Sequence, residues 1–223
     1  MSQFLGPIHH WIFAQVCLCE SRGEVLSRGL QDKYGDEAVE CWNSLKGRFP
    51  GQFEGADLEE LLAGQGIHPA LDAMIATVQS REAGLIAWGL EQAEGADTLR
   101  ELFSSDGSAW GEKLRAAGKG STEPRALFGA LREVWLEGMP CDVAGEILAE
   151  SEDRFDWAWP TLVLSKYWEE SGLGSSEIFP LHLEWMNSFI RTASEGESCL
   201  VCTESPLEGG ERYVFSIRRK EST

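Results

Sequence analysis

Basic residues are scarce in this chain: 19 Lys and Arg stand against 37 Asp and Glu, a net charge of −18. No stripe of cations with interleaved aromatics occurs, which argues against nucleic acid and against anionic membrane surfaces as partners. No apolar run approaches the roughly 18 residues of a bilayer-spanning helix. No basic residue precedes the first apolar run and no small-residue cleavage pattern follows it, so a secretory leader is not expected. Six cysteines in 223 residues are too few for a dense disulfide framework. They read as reduced thiols, and the chain as cytoplasmic. Several catalytic signatures are missing as well. No histidine follows a glutamate at di-iron spacing, and neither the His-Glu-x-x-His zinc motif nor the Gly-x-Ser-x-Gly elbow is found. Gly118-Lys119-Gly120-Ser121 has no glycine five residues before its Gly-Lys pair and no strand leading into it, so it is not a phosphate loop.

What is present suits a core-forming protein: 43% hydrophobic residues, and nine tryptophans that can build a core, an interface or a pocket wall. Helical periodicity dominates. A first helix begins at Pro7 with Gly6 as its N-cap and continues through Leu26 and Leu30 to a break at Lys33-Tyr34-Gly35-Asp36. The next runs from Asp36 to Lys46 with Ala38, Cys41, Trp42 and Leu45 on one face. Asp57 caps a short helix, and His68-Pro69 opens another carrying Leu71, Met74, Ile75 and Val78. A separate helix follows to about Gln92, then one from Asp97 to Phe103, with Ser104 to Ser108 reading as a turn. Pro124 starts a helix with Leu127, Leu131 and Trp135. Further helices are expected from Met139-Pro140-Cys141 to Leu148, over 162–170, and over 181–190. Near the end, 198–203 and 212–218 alternate as strands around a polar turn. The expectation is a mainly α fold: one domain over 1–223, a bundle of about eight or more helices (1–195), with a small C-terminal β-hairpin (197–219) packed on it.

The chemically unusual stretch is the opening, Gly6-Pro7-Ile8-His9-His10-Trp11-Ile12-Phe13-Ala14-Gln15-Val16-Cys17. With so few polar side chains this helix is expected to be buried on most sides, so that His9 or His10 needs an internal partner and becomes the candidate metal ligand. His10 and Cys17 share a face but stand two turns apart, roughly 10 Å, so they can line one pocket without binding one ion. His182, one turn before Met186 and beside Trp185, offers a second imidazole. Cys199 and Cys202 are three apart with no second pair at zinc spacing, which argues against a zinc knuckle. One of the two thiols is expected to face the helices.

Two stretches carry a likeness to known proteins. The opening Phe4-Leu5-Gly6-Pro7-Ile8-His9-His10-Trp11 resembles the start of uncharacterised proteins from anaerobic prokaryotes. The tail, from Phe179-Pro180 to Arg191-Thr192-Ala193-Ser194-Glu195-Gly196-Glu197-Ser198-Cys199, resembles the ending of the aminothiazoline-carboxylate hydrolase-like family. That second resemblance implies a helical fold with a terminal hairpin and a small-molecule pocket near Cys199.

The functional expectation is a small-molecule-, metal- or haem-binding protein with a His/Cys/Trp-lined pocket between the first helix and the C-terminal part. Its ligand-binding residues would be Trp11, Phe13, Cys17, His182, Trp185 and Cys199, with His9 and His10 for iron, zinc or haem iron. The alternatives are a hydrolase of a small cyclic amidine-like substrate, with Cys199 and His182 as candidate catalytic residues, and a protein-interaction module. Whether the chain is an enzyme and whether it forms a homo-oligomer stay open at this point.

Overall fold

The longest element, α1 (Pro7–Tyr34), is also the one around which the others gather. Its buried positions Ile12, Val16, Cys19, Gly23, Leu26 and Leu30 recur at alternating steps of four and three, which places them on one stripe of the helix. The computed structural model describes residues 5–139 and 145–220. After α1 come α2 (Asp36–Arg48), α3 (Leu58–Leu61), α4 (Ile67–Leu90), α5 (Gly95–Ala116) and α6 (Pro124–Val134). Strands β1 (Glu146–Glu150) and β2 (Arg154–Trp159) follow, then α7 (Ser175–Ala193), β3 (Ser198–Glu204) and β4 (Tyr213–Arg219). Gly6 is the N-cap of α1 with Pro7 in its first turn, and the Asp57 carboxylate caps α3 through the Glu59 and Glu60 amides.

Seven α-helices among the described residues make the fold mainly helical, somewhat short of the expected eight or more. Two pairs of expected elements are single helices: α4 runs unbroken from Ile67 to Leu90, and α5 passes through Ser104–Ser108. Ser104 there faces a helix, while Ser105 is exposed. Ser104 Oγ meets Ser188 Oγ of α7 at 2.8 Å, and Trp185 Nε1 donates to Asp106 Oδ2 at 2.7 Å. Gly107 and Gly111 let the two backbones approach. A Cβ on Gly107 would lie 2.3 Å from the Trp185 carbonyl oxygen, and one on Gly111 would lie 2.8 Å from that of Phe189. The stretch expected as a helix over 162–170 forms two short 3-10 turns, Val163–Tyr167 and Glu169–Ser171.

The expected hairpin forms as β3 and β4, but it belongs to a four-stranded antiparallel sheet in the order β1-β2-β4-β3. Of the helix expected from Met139 to Leu148, residues 140–144 lie outside the described residues and 146 onwards is strand. Residues opposite one another in an antiparallel pair share a face. One face therefore gathers Phe155, Ile217 and Leu200, then Trp157, Phe215 and Cys202, then Trp159 and Tyr213. Nearly all of these are buried against the helices. At about 25 cal/mol per Å² of apolar surface, each such ring contributes on the order of 2–3 kcal/mol. Cys199 pairs with Arg218 and falls on the opposite face. The thiol directed to the core is thus Cys202, not Cys199.

Candidate functional site

Two arrangements of polar and aromatic side chains stand out, and only one has room beside it for more than a water. The first is dry. Glu82 of α4 accepts from Arg22 Nε of α1 at 2.6 Å and lies 2.9 Å from His182 Nε2 of α7; all three side chains are nearly inaccessible. Cys19 and Gln79 extend the group: Gln79 Nε2 and Arg22 donate to the Cys19 sulfur at 3.2 and 3.4 Å, and Trp168 Nε1 donates to Gln79 Oε1 at 3.0 Å. Burial alone would raise Glu82, but Arg22 and His182 override it and hold the carboxyl at about 2. Burial lowers His182 below its ordinary value, against the pull of Glu82. The consistent assignment is a neutral imidazole donating Nε2–H to a carboxylate whose charge is balanced by Arg22. A second buried pair runs beside it. Glu20 accepts from Arg81 at 3.0 Å and from the Phe53 and Glu54 amides at 2.8 Å each, while Arg81 also donates to the Phe49 and Gly51 carbonyls. These groups answer one another, and they serve to join α1, α4, α7 and the 49–54 loop.

The second arrangement is a cleft of about 180 Å³ between α1, α6 and the sheet, walled by Trp11, Phe128, Trp157 and Trp159 and edged by Arg132, Glu137 and Glu146. Its rings are set by their neighbours. Phe128 stacks on Phe155 at 4.5 Å, Trp157 stacks on Phe215 at 5.1 Å, and Trp159 meets Phe215 edge-on at 4.4 Å. The Arg132 guanidinium lies 5.5 Å from the Trp11 ring and 5.9 Å from Phe128. Glu146 is occupied by Arg212 at 3.0 Å. Two polar atoms are not answered: the indole N–H groups of Trp11 and Trp157 are buried with no acceptor among the described residues. Buried donors without an acceptor are rare in folded proteins and call for an explanation. Trp42 and Gln15 also carry an unanswered atom, but neither lines this cleft. Glu137 is the cleft's acid. Burial, opposed by Arg132 at 4.0 Å, pushes its carboxyl up to about 7. Glu137 and Trp159 also border an inner chamber of about 30 Å³ that reaches His182, room for one water.

The residues singled out in the sequence separate under this geometry. Trp11 lines the outer cleft and His182 the inner chamber. Phe13 and Trp185 are packed core. Cys17 donates to the Phe53 carbonyl at 3.4 Å, its thiol raised to about 11 by burial and by nearby Glu20 and Glu54. The expectation of a dry imidazole on the first turn of α1 is corrected. His10 is exposed, and His9 is half-buried, its Nδ1 accepting the Gly6 amide at 3.0 Å and its ring 5.5 Å from His68. The physical reason is that the first turn stands clear of the other described elements: Ile8 and His10, about 200° apart round the helix, are both exposed, Ile8 to 46%.

No group of three or more His, Cys, Asp and Glu among the described residues could hold a metal ion. A haem needs a flat slot and an axial nitrogen free to ligate. Around His182 the rings of Trp135, Trp168 and Phe103 stand at 5.0–5.9 Å, Nε2 is engaged by Glu82, and the adjoining space is about 30 Å³. The residues at His182 do not fit that group. The sequence reasoning missed Phe128, Arg132, Glu137, Trp157 and Trp159. The available signal was the period-two alternation Phe155-x-Trp157-x-Trp159, which matches Tyr213-x-Phe215-x-Ile217.

No family model and no curated protein matches the chain. Among solved structures it is similar to the Fe(II) unliganded H-NOX protein from K. algicida, at 8% identity and a TM-score of 0.44, over 91% of this chain and 97% of that one. An alanine-to-glycine mutant of the same protein matches at 10% identity and 0.44, over 92% and 97%. The resemblance of the tail to the aminothiazoline-carboxylate hydrolase-like family is therefore corrected: nothing of that family matches, and the solved structures found are H-NOX proteins.

Proposed function

We propose that the chain binds a small organic molecule in the outer aromatic cleft. The observation that carries this reading is a ring-walled space of about 180 Å³, two of whose wall residues, Trp11 and Trp157, keep buried indole N–H groups with no acceptor among the described residues. Two donors without acceptors among the described residues suit a ligand that brings the acceptor. A void of about 150 Å³ holds a benzene ring, so the size suits a ligand of one ring. Concave, mainly apolar walls with a few convergent polar groups are the usual form of a small-molecule site. The site keeps Trp11 from the sequence reading and replaces the remaining first-helix and hairpin candidates with side chains of α6 and β2. Binding is favoured over covalent catalysis, since no Cys, Ser, Lys or His is among the described residues lining the cleft.

Nitrogen-15 labelling of the indoles tests the reading. Titration with single-ring acids, amides and alcohols is expected to shift the Trp11 and Trp157 indole signals and leave Trp42, remote from the cleft, in place. Trp157→Phe removes one donor with little loss of ring and is expected to weaken the best compound by about three- to tenfold, one hydrogen bond's worth. If no compound moves either indole signal, the proposal fails.

A further inference from the structure

The ligand's charge follows from which groups in the cleft are left over. This step rests on the small-molecule reading above and concerns the chemical class of the ligand. The unanswered atoms on the cleft's wall residues are the two indole nitrogens, and an indole nitrogen gives a hydrogen bond and takes none. An ammonium ligand would set its own N–H groups against them. Over two of the four wall rings the place of a cation is already held by the Arg132 guanidinium, 5.5 Å from Trp11 and 5.9 Å from Phe128. Arg132 keeps only a loose contact with Glu137, at 4.0 Å, and so retains donors to give. Of the two acids at the cleft, Glu146 is neutralised by Arg212 at 3.0 Å. Among the described residues Glu137 has no near cation except Arg132; besides Arg132 and Glu146, the titratable group that borders its two cavities is His182, engaged by Glu82.

We infer that the cleft takes its ligand as the anion of a single-ring carboxylic acid, held by Arg132, the Trp11 and Trp157 indoles and a protonated Glu137, so that a proton is taken up on binding. One carboxyl and one carboxylate sharing a proton avoid the repulsion of two like charges at close range. No bond is made or broken. The proton comes from solvent and rests on Glu137 while the ligand's carboxylate accepts its hydrogen bond. Burial already pushes Glu137 up to about 7, so the proton is available in the neutral range.

Calorimetry with benzoate, benzamide and benzylamine on the full chain tests this. Benzoate is expected to bind at least about fivefold more tightly at about pH 6 than at about pH 8.5, with a binding heat that varies with the ionisation heat of the buffer, the mark of proton uptake. Glu137→Gln is expected to bind benzoate with no slope in pH over that range. Arg132→Gln is expected to weaken benzoate about tenfold and leave benzamide nearly unchanged. Tighter binding of benzylamine or benzamide than of benzoate at both pH values overturns the inference, as does a pH slope that survives Glu137→Gln. If benzamide binds and shifts the two indole signals while benzoate does not, the small-molecule reading stands and the anion is wrong. If none of the three binds, both fail.

Discussion

His182 and Glu82 stand 100 positions apart in the chain, yet their side chains meet at 2.9 Å in a region closed to solvent, and Arg22 completes the contact at 2.6 Å. One element from each third of the molecule is thus fastened at a single carboxylate. The inner chamber beside His182 is small, so this group acts as a joint and leaves ligand chemistry to the outer cleft.

Removing the shared carboxylate is the most direct test of that joint. Glu82→Ala leaves a buried guanidinium without its carboxylate, and breaking such a pair typically costs about 3–5 kcal/mol. Urea unfolding is expected to show a fall of that size, and a loss below about 1 kcal/mol would contradict the joint.

The same group sets an acid limit on stability. Glu82 is held at about 2 in the fold, below its ordinary 4.5, so its contribution is whole above pH 4.5 and drains as pH falls towards 2. His182 is also lowered, which means that below its ordinary 6.5 the unfolded chain takes up a proton the fold refuses. Both signs agree. On going from pH 7 to 4 the melting temperature of His182→Gln is expected to rise relative to that of the parent chain, the difference opening near 6.5.

Glu137 works with the opposite sign. Its carboxyl is raised to about 7, so the fold binds a proton that the unfolded chain has released, and stability declines as pH climbs from 4.5 to 7. Glu137→Gln is therefore expected to stabilise the chain at pH 8 by on the order of 2 kcal/mol and to change little at pH 4. Denaturant midpoints at the two pH values check it.

Two glycines separate a close backbone contact from a free position. A Cβ at Gly107 would lie 2.3 Å from the Trp185 carbonyl oxygen, so Gly107→Ala is expected to cost about 1–3 kcal/mol by forcing α5 from α7. Gly129, within α6, has nothing within 4 Å of its would-be Cβ, and Gly129→Ala is expected to gain about 0.5–1 kcal/mol. Thermal melts of the two variants should move in opposite directions.

The thiols give a further check. Burial and the Glu82 charge raise Cys19 to about 12, and Cys17 stands at about 11. Alkylation at pH 8 is expected to leave Cys19 unmodified until the chain unfolds. Rapid native-state labelling there would show that α1 opens readily.

Much of the helical part was legible because apolar residues recur at helical spacing and because Pro7, Gly35, Asp57 and Pro124 mark helix ends by their backbone chemistry. The turn expected at Ser104–Ser108 failed for a reason that composition cannot show: serines and glycines that punctuate a loop also let two helices touch, as Gly107 does against Trp185. β1 and β2 were missed because Trp157 and Trp159 show their pairing only once β4 lies alongside. The site was the least legible part. Glu137 gains its character from burial, and Trp11 and Trp157 gain theirs from having no acceptor near them; neither property is written in the residue names. The histidines of the opening drew attention by their rarity, yet His10 stands exposed and His9 answers the Gly6 amide of its own helix cap.

The two ion pairs between α1 and α4 run in opposite senses: α1 offers Glu20 to Arg81, and Arg22 to Glu82. The apolar stripe of α1 repeats every seven residues, so greasy contacts alone would accept a helix slipped along its neighbour by one such period. The crossed charges would not, since any slip strands four ionised groups in a dry seam. Alignment of the two longest apolar surfaces is therefore decided by these few charged atoms, and a collapsed chain that guesses the wrong offset has no comfortable place to rest.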